Sequence, residues 1–271
     1  MTTDLAPDLS VLIPTYHREE YIALAVRSVL RESPLRVEVI VADDSPEGSA
    51  AAVVSAIADD RVRYVHRTKP TGGRPAIVRN DMLEASGGQF LYFLDDDDTA
   101  SIETLGLLVA RLRATGAGVG IGAVVPHGPS TSKVVAEERE HYQRVRSVFP
   151  TVRSKYELAA RLLFRSSLIC CSACIIRREA FIAVGGFDPG IPLYEDVEMY
   201  LRALRRFDFE YVDEELLQRR TGEPSLLQDL RDTVKIQQSY ALIHAAYRSQ
   251  FGSLELMALR LYARLFIARV P

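Results

Sequence analysis

Four carboxylates stand in a row at Asp95, Asp96, Asp97 and Asp98, directly behind the hydrophobic run Phe90, Leu91, Tyr92, Phe93 and Leu94. Like charges this close repel: two unit charges ~4 Å apart at an effective dielectric of about 20 cost about 4 kcal/mol. A divalent cation would offset that, since hard cations take carboxylate oxygens, and magnesium is commonly shared between a carboxylate or two and substrate phosphates. If the chain stays extended, successive side chains alternate in direction. Asp95 and Asp97 then face one way, Asp96 and Asp98 the other, and one ion does not reach all four. Taken alone, the run is equally a solvated acidic turn that starts the next helix, with Asp98 or Ser101 as N-cap.

The elements around the run decide where it sits. Apolar runs predict strands over 9–13, 37–42, 62–66, 89–94 and 118–125, and helical periodicity predicts helices over 19–31, 50–58 and 75–85. A further helix is marked by Ile102, Leu105, Leu108, Val109 and Leu112. Alternation of this kind implies a mostly parallel sheet with helices on both faces, whose ligands bind at the carboxyl ends of the strands. At those ends stand Pro14-Thr15-Tyr16, then Asp43-Asp44-Ser45, then Lys69-Pro70-Thr71-Gly72-Gly73-Arg74, then the four aspartates. All should meet along one edge.

The second half is less regular. Residues 126–155 read as a long polar loop with one short helix at most. A helix over 156–164, a strand over 168–176, a helix over 178–184 and a turn at 185–189 follow. The helix over 194–206 carries Glu195 and Asp196 in its first turn, where acidic residues suit the helix dipole. From 224 onward the pattern is helical. The chain therefore divides into an α/β half (1–125), a second half of the same domain (126–222) and a helical appendage (223–271).

With 271 residues, 48% hydrophobic and a net charge of −3, the chain can bury a full core and lacks the basic excess expected of a nucleic-acid binder. The three cysteines, Cys170, Cys171 and Cys174, fall within the apolar run LICCSACII, which suits core packing in a reducing cytoplasm better than a disulfide framework or a metal site. The N-terminus MTTDLAPDLS is not a signal peptide, and no run reaches the ~18 apolar residues of a membrane span. The stretch 254–270 is apolar, with Arg260, Arg264 and Arg269 along it. It suits peripheral contact with the inner face of a membrane, packing on the domain, or pairing with a second copy.

FLDDDD after a hydrophobic strand resembles the DXD-type motif of family 2 glycosyltransferases with the GT-A fold. LSVLIPTYHREEYIALAVRSVL resembles that family's opening strand, Pro-x-Tyr turn and first helix. VEVIVADDSPEG resembles its second strand with paired Asp. GGRPAIVRNDMLEASGGQFLYFLDDDD resembles the segment leading into the motif, and VGGFDPGIPLYEDVEMYLRAL its Gly-Gly-Phe-Asp turn and Glu-Asp motif. The likeness runs over residues 9–212, and the spore-coat relatives share the arginine ahead of the third helix.

The resemblance implies an inverting transfer of a sugar from a nucleotide diphosphate, UDP favoured, to the hydroxyl or amine of a saccharide, lipid-linked or small-molecule acceptor. It places the base and ribose against Pro14, Thr15 and Tyr16. It makes Asp44 the acceptor for the imide N–H of the base, and sets Arg74, with Arg79 second, near the diphosphate. Asp96 falls on the ribose or the metal, with Asp95 beside it, and Asp97 on the Mn²⁺ or Mg²⁺. Asp196 falls on the catalytic base, which must be ionised, so a strongly raised pKa would count against it. The family's histidine after the last core strand is missing: LLQRRTGEPS offers Arg219 and Arg220 to the diphosphate, or a solvated basic loop. A nucleotidyltransferase and a non-catalytic scaffold are the competing readings.

Overall fold

Leucine and β-branched residues fill β1 (Leu9–Thr15) and β2 (Val37–Asp43), which pair in parallel from Leu9 opposite Val37 to Thr15 opposite Asp43. The structure is a computed structural model and describes residues 6–129, 131–165, 168–221 and 233–267. β3 (Val62–His66) joins β2, and β4 (Phe90–Phe93) joins β1, both parallel. The strands are linked by α1 (Glu19–Val29), α2 (Ala51–Ser55) and α3 (Pro75–Ala85), with Pro75 in the first turn of α3 where no donor is needed. Both faces of the sheet are covered. Leu12, Ile40 and Phe93 belong to one core, while Val11, Val39 and Tyr92 belong to the other.

Beyond β4 the chain makes β5 (Thr99–Ala100), α4 (Ile102–Thr115) and β6 (Val119–His127). Ser101 caps α4 by accepting the Thr104 amide at 3.1 Å, and Gly116 ends it in the left-handed region at φ 75°. The polar stretch predicted as a loop is instead α5 (Lys133–Val148), 16 residues long. Only Val135, Tyr142 and Val145 of it are buried, too sparse a stripe to stand out among the charges. After α6 (Lys155–Phe164), the strand expected over 168–176 shrinks to β7 (Cys174–Arg177), preceded by a tight turn at Cys171–Ala173. β7 runs antiparallel between β4 and β6. The thiols of Cys171 and Cys174 sit in the core, as their apolar setting suggests.

α7 (Arg178–Val184) and α8 (Glu195–Arg206) flank the Gly-Gly-Phe-Asp turn, and β8 (Phe209–Arg220) returns parallel to β6. β8 escapes a pattern reading because Asp213, Glu214 and Glu215 break its alternation beside a register shift between Ile121 and Ala123. The sheet order is β3-β2-β1-β4-β7-β6-β8-β5. Its mostly parallel strands between two helical layers match the expected α/β class.

α9 (Thr233–Phe251) and α10 (Ser253–Phe266) pack on the domain through α6 and α8. Leu259, Ala263 and Ile267 are buried there, and Arg205 grips Glu255 at 2.9 Å. Arg269 and the predicted helical start near 224 lie outside the described residues. Among the described residues, no helix is long and apolar enough to cross a membrane.

Candidate active site

The carboxyl ends of β1, β2 and β4 do converge. The Asp44 amide donates to the Thr15 carbonyl at 2.9 Å, and the Thr15 hydroxyl donates to Asp96 Oδ2 at 2.7 Å. Pro14 and Thr15 close β1, and the Tyr16 ring, partly exposed, lies against the loop at Gly73.

Asp44 is almost fully buried and its carboxylate is busy. It accepts from Arg67 Nε (2.9 Å), the Thr71 amide (2.8 Å), the Thr71 hydroxyl (2.7 Å) and the Gly73 amide (2.8 Å). Burial alone would raise this carboxyl, but the Thr71 and Gly73 donors and Arg67 outweigh it and hold the group below its ordinary value. Asp43 next to it ties the turn by accepting from Ser45, Ala50 and Tyr64. Arg74, exposed at the start of α3, donates to the Pro189 carbonyl at 2.8 Å and so reaches across to the second half of the domain.

In the acidic turn the four carboxylates have four different surroundings. Asp95 is the most exposed and pairs with Arg79 at 2.7 Å. Asp96 is buried beside Thr15, and burial together with Asp97 pushes it up to about 7. Asp97 accepts from Arg18 Nη1 at 2.8 Å, and burial and Asp95 raise it. Asp98 is buried, accepts the Arg220 amide at 2.8 Å, and is raised strongly by burial, Asp95 and Asp97. The alternation predicted from an extended strand therefore holds only in burial: Asp96 and Asp98 point inward, Asp95 and Asp97 outward.

Among the described residues, no group of three or more His, Cys, Asp or Glu is arranged to hold a metal. The turn is no protein cage. Its oxygen donors and crowded, raised carboxylates do fit one hard cation that takes most of its ligands from phosphate and water.

Arg79 is buried, and it spans the two halves: Nη2 donates to Asp95 at 2.7 Å and Nη1 to Glu195 Oε1 at 2.7 Å, over the Phe187 ring. Its Nε is buried without a hydrogen-bond partner. Asp196 follows Glu195 at the start of α8, half-buried, its Oδ1 accepting the Val197 amide at 2.8 Å. Burial, then Glu195, push Asp196 up to about 7, against the pull of Arg79. That rise runs against the expectation of a fully ionised base: at about 7 the carboxyl is only about half ionised at neutral pH, and the ionised half is what can take a proton. Tyr194 before it sits in the left-handed region at φ 62°, uncommon for a tyrosine, and its ring meets Tyr240 of α9 at 5.3 Å.

The profile of the family described as glycosyl transferase family 2 matches residues 10–185. The chain belongs to that family. Among curated proteins, this family 2 chain is 32% identical over 118 residues to the succinoglycan biosynthesis protein ExoO of Rhizobium meliloti, covering 44% of the chain and 33% of that protein. It is 31% identical over 111 residues to the GalNAc(5)-diNAcBac-PP-undecaprenol beta-1,3-glucosyltransferase of Campylobacter jejuni, covering 39% of the chain and 34% of that protein. The chain thus matches about a third of the length of these relatives. Among solved structures, S. aureus TarS superposes with a TM-score of 0.65 at 16% identity, over 96% of this chain and 44% of that one. TarS 1–349 in complex with UDP-GlcNAc gives 0.63 at 18% identity, over 95% and 73%. The likeness establishes the GT-A fold. Family 2 membership sets aside the nucleotidyltransferase reading.

Several residues that surround this candidate site were not singled out from the sequence. Arg18 was hidden beside His17, Arg67 and Thr71 carry no motif of their own, and Asn80 binds both the Phe187 amide and carbonyl at 2.8 Å. Arg219 and Arg220 are not a solvated loop. They end β8, with Arg219 on the Tyr142 hydroxyl (2.6 Å) and Arg220 on the Asp97 carbonyl (3.2 Å).

Proposed function

We propose that this chain transfers a sugar from a nucleotide diphosphate, UDP favoured, to an acceptor hydroxyl or amine with inversion at the anomeric carbon. The observation that carries the reading is the Arg79 bridge, which fixes Glu195, and with it the start of the Asp196 helix, against the acidic turn. Donor end and base end of the site are thereby one rigid unit. Rigid placement of reacting groups is worth more than their mere presence.

In this reading the base and ribose lie between Tyr16 and the Thr71–Gly73 loop. Asp44 takes the imide N–H, replacing one of the four donors it now accepts. Arg74 faces the diphosphate across from Pro189. Asp97, with Asp96 behind it, would hold Mn²⁺ or Mg²⁺. That ion, when bound, supplies Lewis-acid stabilisation of charge on the departing diphosphate. Arg219 and Arg220 add fixed positive charge at the end of β8. Asp196 accepts the acceptor's proton as the acceptor attacks from the face opposite the diphosphate. Tyr194 and Tyr240 flank the base and are suited to the apolar face of a sugar ring.

TarS in complex with UDP-GlcNAc supports a nucleotide-sugar donor, and the undecaprenol-linked substrate named for the Campylobacter relative supports a saccharide or lipid-linked acceptor. The outer face of α10, apolar and edged by Arg260 and Arg264, favours an anionic membrane surface over a second copy as the partner.

A thermal-shift screen of UDP-, dTDP- and GDP-sugars with Mn²⁺ identifies the donor, since a ligand of the native state raises the melting temperature. With that donor, Asp196→Asn should keep nucleotide affinity while transfer drops by about 100-fold or more. Transfer that persists removes Asp196 as the base, and no shift with any donor supports a scaffold instead.

A further inference from the structure

Arg18 is the cation that pairs with the Asp96 and Asp97 carboxylates of the acidic turn, as Arg79 pairs with Asp95. It occupies the N-cap position of α1, reached through His17 in the left-handed region at φ 54°. From there Nη1 stands 2.8 Å from Asp97 Oδ2 and 3.3 Å from Asp96 Oδ1. The side chain is 25% exposed, so the guanidinium sits at the mouth of the site and has solvent to move into. Neither arginine of β8 bonds the Asp96 or Asp97 carboxylate: Arg219 bonds the Tyr142 hydroxyl, and Arg220 bonds the Asp97 carbonyl while its guanidinium lies over the Tyr21 ring.

A guanidinium bonded to a carboxylate oxygen and a divalent ion bound to the same oxygen compete for one set of lone pairs, and they repel each other. Among the described residues, no third protein ligand is arranged at the acidic turn to tip that contest toward the metal. A diphosphate changes both sides of it. Its oxygens complete the metal's coordination, and they offer the displaced guanidinium a bidentate acceptor that suits its fork. Asp96 keeps the Thr15 hydroxyl when Arg18 leaves.

We propose that Arg18 is a built-in counter-ion of the acidic turn: it holds Asp97 in the nucleotide-free protein, weakens the binding of a divalent ion there, and passes to the diphosphate as ion and nucleotide enter together. The proposal rests on the assignment of Asp97 as metal ligand. It makes metal and nucleotide binding mutually dependent through one side chain, beyond the assignment of either.

The experiment is a Mn²⁺ titration followed by the electron paramagnetic resonance of the free ion, without and with UDP, on the full chain. Arg18→Gln should bind Mn²⁺ alone about tenfold more tightly than the wild type, within the usual range of coupling between sites, and should lose most of the gain that UDP gives. Arg18→Lys, which keeps the charge, should stay close to the wild type. Equal or weaker Mn²⁺ binding by Arg18→Gln without UDP overturns the proposal while leaving Asp97 as ligand. If instead Asp97→Asn leaves Mn²⁺ binding with UDP unchanged, the Asp97 assignment itself is gone, and the proposal with it.

Discussion

Arg79 Nη1 lies 2.7 Å from Glu195 Oε1, a contact between residues 116 apart in the chain, and the same guanidinium holds Asp95. The pair is deeply placed, with the Arg79 side chain 6% and that of Glu195 12% exposed. Removing one member of a buried pair leaves an uncompensated charge, typically worth 3–5 kcal/mol. Arg79→Met should therefore lower unfolding stability by about that range. It should also move the Asp196 titration further upward, because Arg79 now pulls that carboxyl down. Urea denaturation and a pH–rate profile measure the two effects separately. A variant of native stability with an unmoved profile removes the bridge from the account.

The pH dependence has a definite sign. Burial and then Glu195 put Asp196 up at about 7, and burial and then Asp97 do the same for Asp96. A base must be ionised, so transfer should rise between pH 6 and pH 8 with a midpoint near 7, and Asp196→Asn should abolish that limb. Stability should run the other way. Each folded-state value lies above the ordinary aspartate value of 3.8, so the folded protein binds more protons than the unfolded chain between those limits. The resulting stability is complete below the unfolded value and is lost as pH climbs through about 7. The urea midpoint should accordingly fall from pH 5 to pH 8; a midpoint that rises over this interval contradicts the burial of these acids.

The first half of the molecule was open to a reading of its pattern, and the reasons are physical. Strands such as Val37–Asp43 are buried on both faces, so their residues form unbroken apolar runs ending in polar turns. β3 and α3 match their predicted limits, and the four turns meet as expected. α5 and β8 were not open in this way because each buries only a few side chains, and neither period survives among Glu and Arg. In the candidate site, Asp95–Asp98 stood out as a run of like charges at a strand end, whereas Asp196, an ordinary acid for a helix's first turn, was singled out only by the family resemblance. Arg18, Thr71 and Asn80 did not stand out, since their roles come from contacts made across 79, 27 and 107 residues of chain.

Two neighbouring glycines separate backbone from contact. Gly72 and Gly73 both take positive φ, 77° and 79°, in the loop that feeds Asp44. A Cβ on Gly72 meets nothing within 4 Å, whereas one on Gly73 comes 3.0 Å from the Tyr16 ring. Gly72→Ala should cost about 1–2 kcal/mol of left-handed strain and no more. Gly73→Ala carries the same strain and also presses on the Tyr16 ring, which must give by a few tenths of an ångström, so only it should weaken UDP binding. Calorimetric titration with UDP compares them. Equal affinities for the two variants would falsify the placement of the nucleotide against Tyr16.

α10 presents one face to the domain and another to solvent. Leu254, Met257, Leu261, Leu265 and Phe266 are 82, 64, 57, 62 and 71% exposed, and they recur at helical spacing. Exposed Arg260 and Arg264 border them, while Glu255, the acid of the first turn, is turned inward onto Arg205 and Tyr247. An antiparallel pairing of two such faces would set arginines against arginines with no acid to meet them. An anionic lipid surface meets both the apolar stripe and its basic edge. The chain should therefore sediment with phosphatidylglycerol vesicles and much less with phosphatidylcholine vesicles. Neutralising Arg260 and Arg264 to Gln should weaken binding by about fivefold for each, the usual contribution of one basic residue near an anionic surface. Met257→Glu with Leu261→Glu should abolish it without unfolding, since both side chains project into solvent. A chain that ignores the vesicles, or a dimer by light scattering that this double variant converts to monomer, makes the face a protein interface instead.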